Sequence, residues 1–383
     1  MRVRIAWLAL SALAATLVLV PTAGSAEQPQ RYIVVFKTFA TPQAGQAARE
    51  ISGRFGSRPD AVYEHALKGF AVTLAPGLAA KLAEDDRVAY VEQDAEVTAS
   101  TTQSNATWGI DRIDQRTLPL SGTYTYNATG SGVTAYIIDT GIRFSHGEFG
   151  GRAVSGYDAV DGGTADDCNG HGTHVAGTVG GSSYGVAKGI SLVGVRVLDC
   201  AGSGTTTGVI AGIDWVTGNH SAGAPAVANM SLGGGASTAL DTAVTNSIAD
   251  GVSYAVAAGN GNQGGRAQDA CKYSPARVPA AMTIGATDKT DTKTSWSNYG
   301  NCVDWFAPGL SITSAWHTSD TATNTISGTS MATPHTAGVA GLYLQGNPGA
   351  SPAAVRTAIY DNSTKGIVKS SSTANNHLLF TNY

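Results

Sequence analysis

From about residue 130 onward the chain alternates near-continuous apolar runs with segments of helical apolar spacing, and this alternation limits the fold more than any other feature. The runs at 133–138, 192–198, 226–230, 252–257 and 282–286 carry few polar residues. Strands with no polar face must be covered on both sides, as in a parallel sheet flanked by helices. Between them, 207–216 and 239–249 repeat apolar residues at helical spacing. Strand–helix alternation of this kind predicts a doubly wound α/β domain. Its active site would lie outside the carboxyl ends of the strands. No internal repeat or low-complexity tract interrupts the pattern.

The 383 residues exceed what one domain usually needs. Arg2 and Arg4 precede an apolar run over 5–20, and Pro21-Thr22-Ala23-Gly24-Ser25-Ala26 supplies small residues for cleavage. That run is shorter than the roughly 20 residues needed to span a bilayer. Residues 1–26 therefore read as a secretory signal, and the mature protein is expected outside the cell with no membrane segment. Residues 27–100 form a second region, with predicted strands at 31–37, 69–74 and 88–92 and helices at 43–52 and 77–84. Short strands and helices in this alternation suit a small ferredoxin-like α+β unit. The polar stretch 98–104 reads as a linker and the natural place to cut. The third region is 101–383. Net charge is −4 with 14% charged residues, so no basic field would hold nucleic acid. No oligomer surface is legible and a monomer is expected.

The four cysteines are Cys168, Cys200, Cys271 and Cys302. An even number in an exported chain favours disulfides, with three connectivities open. Sequential pairing is the expectation adopted here, although spacing alone does not decide it.

Three short motifs carry chemistry. Asp139-Thr140-Gly141 closes an apolar run, Asn169-Gly170-His171-Gly172-Thr173-His174 opens a helical segment, and Gly328-Thr329-Ser330-Met331 opens another. A serine hydroxyl needs a neighbouring base to become a nucleophile, and that base needs an orienting carboxylate. Ser330, His171 and Asp139 fit those roles. Asn260 in Ala257-Ala258-Gly259-Asn260-Gly261 could donate its amide to an oxyanion, with the Ser330 N–H as second donor. His171 and His174 are spaced like a zinc pair, but no Glu follows His171 and no third ligand is evident. A lipase or esterase would carry Gly-x-Ser-x-Gly with its His last, and neither holds here. A binding protein on a spent enzyme scaffold would have lost one of the four residues, and all are present.

Asp, then His, then Ser is the order of the subtilisin triad. With the motif blocks just quoted, the chain resembles subtilisin-like serine proteases (subtilases) of the proteinase K branch, and especially its aqualysin-type secreted bacterial members. The resemblance implies a serine endopeptidase acting on protein and peptide substrates. It also implies that residues 27–100 are an inhibitory, fold-assisting propeptide removed by self-cleavage near 98–103. Gly202-Ser203-Gly204 and Ser231-Leu232-Gly233 match the family's two substrate-flanking segments. Ala257, Ala258 and Gly259 match a wall of its primary specificity pocket, and their small size implies apolar or aromatic residues before the scissile bond. No acidic residue in these segments would select Lys or Arg.

The four cysteines match the aqualysin-type two-disulfide pattern, which implies the sequential pairing. Each closed loop would contribute about 2–4 kcal/mol. Proteinase K relatives often carry a Cys where this chain has Val175, so their thiol sensitivity should be absent. No cofactor is needed for catalysis, but structural Ca²⁺ is implied. Asp111, Asp114 and Gln115 match one family site, and Asp304 with the carbonyls of Pro279 and Ala281 matches another. The loop bearing Asp158, Asp161, Asp166 and Asp167 is a candidate third site, since oxygen ligands suit the ion.

Overall fold

The structure, a computed structural model, describes residues 28–37, 43–94 and 101–383. The chain divides between residues 97 and 98 into two separately packed units. The signal segment lies outside the described residues, as do residues 95–100, where the linker reading and the expected cut begin.

The first unit runs β1 (Gln30–Phe36), α1 (Ala44–Arg54), β2 (Pro59–Tyr63), β3 (Gly69–Leu74), α2 (Pro76–Leu82) and β4 (Val88–Gln93). Its sheet order is β2-β3-β1-β4, with antiparallel pairs throughout. Alternate residues Tyr32, Val34 and Phe36 of β1 and Phe70, Val72 and Leu74 of β3 share a core with Ala47 and Ile51 of α1 and Leu82 of α2. This is the ferredoxin-like order expected. The reading missed β2, whose Pro59 and Asp60 and exposed middle residues give little strand signal on an edge.

The second unit opens with β5 (Thr101–Ser104), α3 (Trp108–Ile113) and β6 (Thr123–Tyr126). β5 pairs antiparallel with β6, so residues 101–104 are a strand and not linker. Then come β7 (Thr134–Asp139), β8 (Ala153–Asp158), α4 (His171–Gly180), β9 (Ser191–Arg196), α5 (Thr206–Asn219) and β10 (Ala226–Met230). They are followed by β11 (Gly234–Gly235), α6 (Thr238–Asp250), β12 (Ser253–Ala257), β13 (Tyr273–Ser274) and β14 (Met282–Thr287). The chain ends with β15 (Trp305–Pro308), β16 (Ile312–Ala315), β17 (Thr323–Ile326), α7 (Thr329–Gly346) and α8 (Pro352–Asn362).

Seven of these strands form one parallel sheet in the order β15-β14-β12-β10-β7-β9-β8. Side chains alternate between two cores, as the two-residue period of a strand requires. Ala135, Ile137, Val227 and Ala255 face α3, α4, α7 and α8. Tyr136, Ile138, Ala228, Met230, Tyr254 and Val256 face α5 and α6. That double coverage explains why these strands read as unbroken apolar runs. After β7 the chain leaves toward β8 and β9, whereas after β10 it leaves toward β12. The crevice at the carboxyl ends of β7 and β10 is the switch point where such folds place their sites.

Helix ends are secured in two ways. α5, α6 and α8 start from Thr205, Ser237 and Ser351, whose hydroxyls accept the N–H of Gly208, Leu240 and Ala354. α4 and α7 start from Gly170 and Gly328, which have no side chain to offer.

Candidate active site

Asp139 ends β7 and is fully buried. Its Oδ1 accepts the Thr140 N–H and the Nδ1–H of His171, each at 2.7 Å. A carboxylate acceptor places the His171 proton on Nδ1 and leaves Nε2 as the lone-pair nitrogen, on a ring that lines the cleft. Burial alone would lower the His171 pKa. The charge and hydrogen bond of Asp139, with the charge of Asp167 behind them, outweigh it and hold the pKa raised.

The N-terminus of α4 is held by residues outside the helix. Asp167 Oδ1 accepts the N–H groups of Asn169 and Gly170 and the hydroxyl of Thr140. Its Oδ2 accepts the Thr173 N–H and hydroxyl. Thr140 Oγ1 in turn accepts the Gly172 N–H. One carboxylate thus ties the strand end bearing Asp139 to the helix start bearing His171. Gly170 sits at φ 109°, and a Cβ there would lie 2.5 Å from Trp316. Sequence reasoning had assigned Asp167 only to a calcium loop. Its position three residues before a turn glycine, where Asp side chains bond their own backbone, was the available clue.

Ser330 is the second residue of α7, and its Oγ donates to the Ser231 carbonyl at 3.0 Å. Its own carbonyl would normally accept from residue 334, but Pro334 has no N–H. Ser231 Oγ donates there instead at 2.7 Å, and Asn229 Nδ2 donates to that hydroxyl. The start of α7 is therefore locked to the end of β10. Asn260 Oδ1 accepts both the N–H and the hydroxyl of Thr329, at 2.8 and 2.9 Å. Those donors fix the amide with Nδ2 as its remaining group, in the pocket that also holds Ser330.

Two connected depressions meet here. A groove of about 550 Å³ is lined by His171, Gly202, Ser203, Gly204, Ser231, Leu232 and Gly233, with Leu198, Val209 and Leu240 at its apolar floor. A pocket of about 260 Å³ is lined by Ala257, Ala258, Gly259, Asn260, Tyr273 and Ser330. Among the described residues no Asp, Glu, Lys or Arg lines either one.

His174 is buried, and its Nε2 pairs with the Ile312 carbonyl; burial pushes its pKa down to about 4. Val175 packs in the core. Cys168 pairs with Cys200 and Cys271 with Cys302. The first bridge joins the loop before His171 to the segment before Gly202.

The three calcium candidates separate on their donors. Asp114 Oδ1 is buried without a hydrogen-bond partner, and burial together with the nearby Asp111 charge raises its pKa to about 6. That unpartnered oxygen fits a hard cation, while Asp111 accepts from Ser121 and Gly122 and the Gln115 amide oxygen accepts from Ser121. Asp304 does not fit. One of its oxygens accepts from the Arg356 guanidinium and the other accepts the Thr283 N–H, so an arginine already supplies the positive charge. In the third loop Arg196 bridges Asp158 and Asp161, Asp167 serves α4, and Asp166 accepts the Thr164 hydroxyl. These ion pairs were not legible in the sequence because the arginines lie 35 to 52 residues away.

Residues 130–379 match the subtilase family, and residues 31–100 match the peptidase inhibitor I9 family. An extracellular serine proteinase of Thermus sp. (strain Rt41A) is 58% identical over 371 residues, covering 92% of this chain and 89% of that protein. An alkaline serine exoprotease A of Vibrio alginolyticus is 52% identical over 366 residues, covering 91% of this chain and 67% of that protein. A solved structure of a cold-adapted subtilisin-like serine proteinase superposes with a TM-score of 0.69 at 58% identity, over 72% of this chain and 98% of that one. The chain belongs to the subtilase family of serine proteases, with an I9-type inhibitor unit ahead of its catalytic unit.

Proposed function

We propose that the chain is a secreted, self-processing endopeptidase in which Ser330 is the nucleophile, His171 the base and Asp139 the orienting carboxylate. The observation that carries this reading is the 2.7 Å bond from His171 Nδ1 to buried Asp139, on a ring that opens into the groove leading to Ser330. In the reaction Ser330 Oγ turns from the Ser231 carbonyl and passes its proton to His171 Nε2 as it attacks the peptide carbonyl carbon. The developing imidazolium is stabilised by Asp139. The oxyanion is met by Asn260 Nδ2 and the Ser330 N–H at the start of α7. His171 then returns the proton to the departing amine, leaving an acyl-enzyme, and water repeats the sequence in reverse.

Substrate backbone pairs with the segments 202–204 and 231–233, which gives affinity with little sequence choice. The small walls of Ala257, Ala258 and Gly259 admit apolar or aromatic residues before the scissile bond. The I9-type unit serves as intramolecular inhibitor until removed. Because β5 is needed to pair with β6, the cut falls ahead of Thr101. Structural calcium would be held by Asp111, Asp114 and Gln115, adding charge neutralisation there and nothing to the chemical step. Export rests on the apolar leader and on the extracellular name of the Thermus relative.

A sulfonyl fluoride tests the nucleophile. It should add one sulfonyl group, on the peptide containing Ser330, as fluoride leaves, with activity falling in step. Inactivation by labelling at any other residue contradicts the assignment.

A further inference from the structure

Asn298 lies between β14 and β15 and is 1% exposed. Its backbone N–H donates to the Gly259 carbonyl at 2.9 Å, and its Nδ2 donates to the Ala258 carbonyl at 2.8 Å. Its Oδ1 accepts the N–H groups of Gly261 at 3.0 Å and Gln268 at 2.8 Å. One residue therefore holds the backbone on both sides of Asn260. Asn260 spends its own side-chain amide oxygen on Thr329.

The segment needs such an external hold. Gly259 and Gly261 have φ values of 100° and 81°, a region that glycine enters at no steric cost and also leaves easily. A Cβ on Gly259 would lie 2.5 Å from Asn298 Nδ2, so the two chains touch with no room for slack. Only a short primary amide offers a donor and an acceptor at this reach. Asp has no donor when ionised, and Gln is one carbon longer.

We infer that Asn298 is a positioning residue for the oxyanion donor: it holds residues 258–261 so that Asn260 Nδ2 faces the carbonyl attacked by Ser330. The inference rests on the proposed role of Asn260. A donor aimed at a developing charge accelerates reaction only if its position is set beforehand, and a displacement of about 1 Å loses much of the effect. Asn298 itself makes no bond to the reacting atoms.

The test is a double-mutant cycle on the processed enzyme with a short peptide substrate, using N260A, N298A and the pair, each checked for wild-type-like folding by circular dichroism. N298A should lower kcat about tenfold or more and change KM by about twofold at most. In the N260A background the same change should cost less than about twofold in kcat, because its target has gone. An equal loss in both backgrounds, or wild-type kcat in folded N298A, overturns the inference. Should N260A alone leave kcat unchanged, the oxyanion role of Asn260 fails first and the inference goes with it. If N298A does not fold, the cycle is run with N298D, which keeps the size of Asn but loses the bond to Ala258.

Discussion

Helices α5, α6 and α8 and helices α4 and α7 belong to one sheet sandwich, yet their N-termini are built on opposite principles. The first group is capped by the residue that precedes it, from Thr205, Ser237 and Ser351. The second begins at glycines and borrows its caps: α4 from Asp167 and Thr140, α7 from Asn260 across 69 residues. A local cap stabilises a helix wherever it lies. A borrowed cap also fixes the helix against its neighbour, and here the neighbours are the strand end bearing Asp139 and the loop bearing Asn260. The site residues ride on the borrowed ends.

Asn260→Ala should break the borrowed end of α7 with the largest effect. It should lower kcat by about 10²–10³, the size of loss that removing such an Asn donor has in subtilisin. Steady-state kinetics on a peptide substrate checks it, with KM staying near the wild-type value.

A third kind of helix end, the C-terminus of α3 at Asp114, is proposed to rely on calcium. At a free ion concentration one hundred times Kd, binding would contribute about 2.7 kcal/mol. Chelator should therefore lower the melting temperature of the wild type, and Asp114→Asn should melt alike with and without it. Arg356→Met should leave the chelator response intact, since Arg356 and Asp304 form an ion pair that needs no metal.

Asp167→Asn should weaken the borrowed end of α4 and remove a charge that raises the His171 pKa. A tenfold loss in kcat/KM is the approximate expectation, because hydrogen bonds to a charged group contribute about 1.5–3 kcal/mol and the amide retains part of them. The direction of the pH effect is sharper. His171 must be neutral to act, so the wild-type acid limb should lie above the ordinary value of 6.5, and Asp167→Asn should move it down. Stability runs the other way. The protonated His171–Asp139 pair adds stability that is fully present below 6.5 and is lost as pH rises through the raised value.

Ser351→Ala makes the smallest change and serves as the control. Losing a local cap costs about 1 kcal/mol of stability and should leave kcat and the acid limb where they were.

The same contrast explains what could be read before the structure. The subtilase motifs and the unbroken strands are short-range patterns, so the family and the parallel sheet were legible from residues a few positions apart. The edge strand β2 was not, because Pro59 and its exposed neighbours carry no two-residue apolar period. Residues 101–104 read as linker because Thr-Thr-Gln-Ser is polar, and only pairing with β6 makes them a strand. Asp304 was read as a calcium ligand, and its ion pair with Arg356, 52 residues away, left no mark in the sequence. Asp167 was read only as a calcium-loop carboxylate, and Asn298 escaped notice, for a related reason. Their work is hydrogen bonding to backbone groups, which leaves almost no mark on side-chain type.

The most direct test of the whole account is to express wild type beside Ser330→Ala and record intact mass and hydrolysis of an unfolded protein. The account predicts that the wild type shortens to a chain starting near Thr101 and digests the substrate, while the variant stays full length ahead of Thr101 and silent. If both chains mature and digest alike, Ser330 is not the nucleophile and the assignment of His171 and Asp139 falls with it.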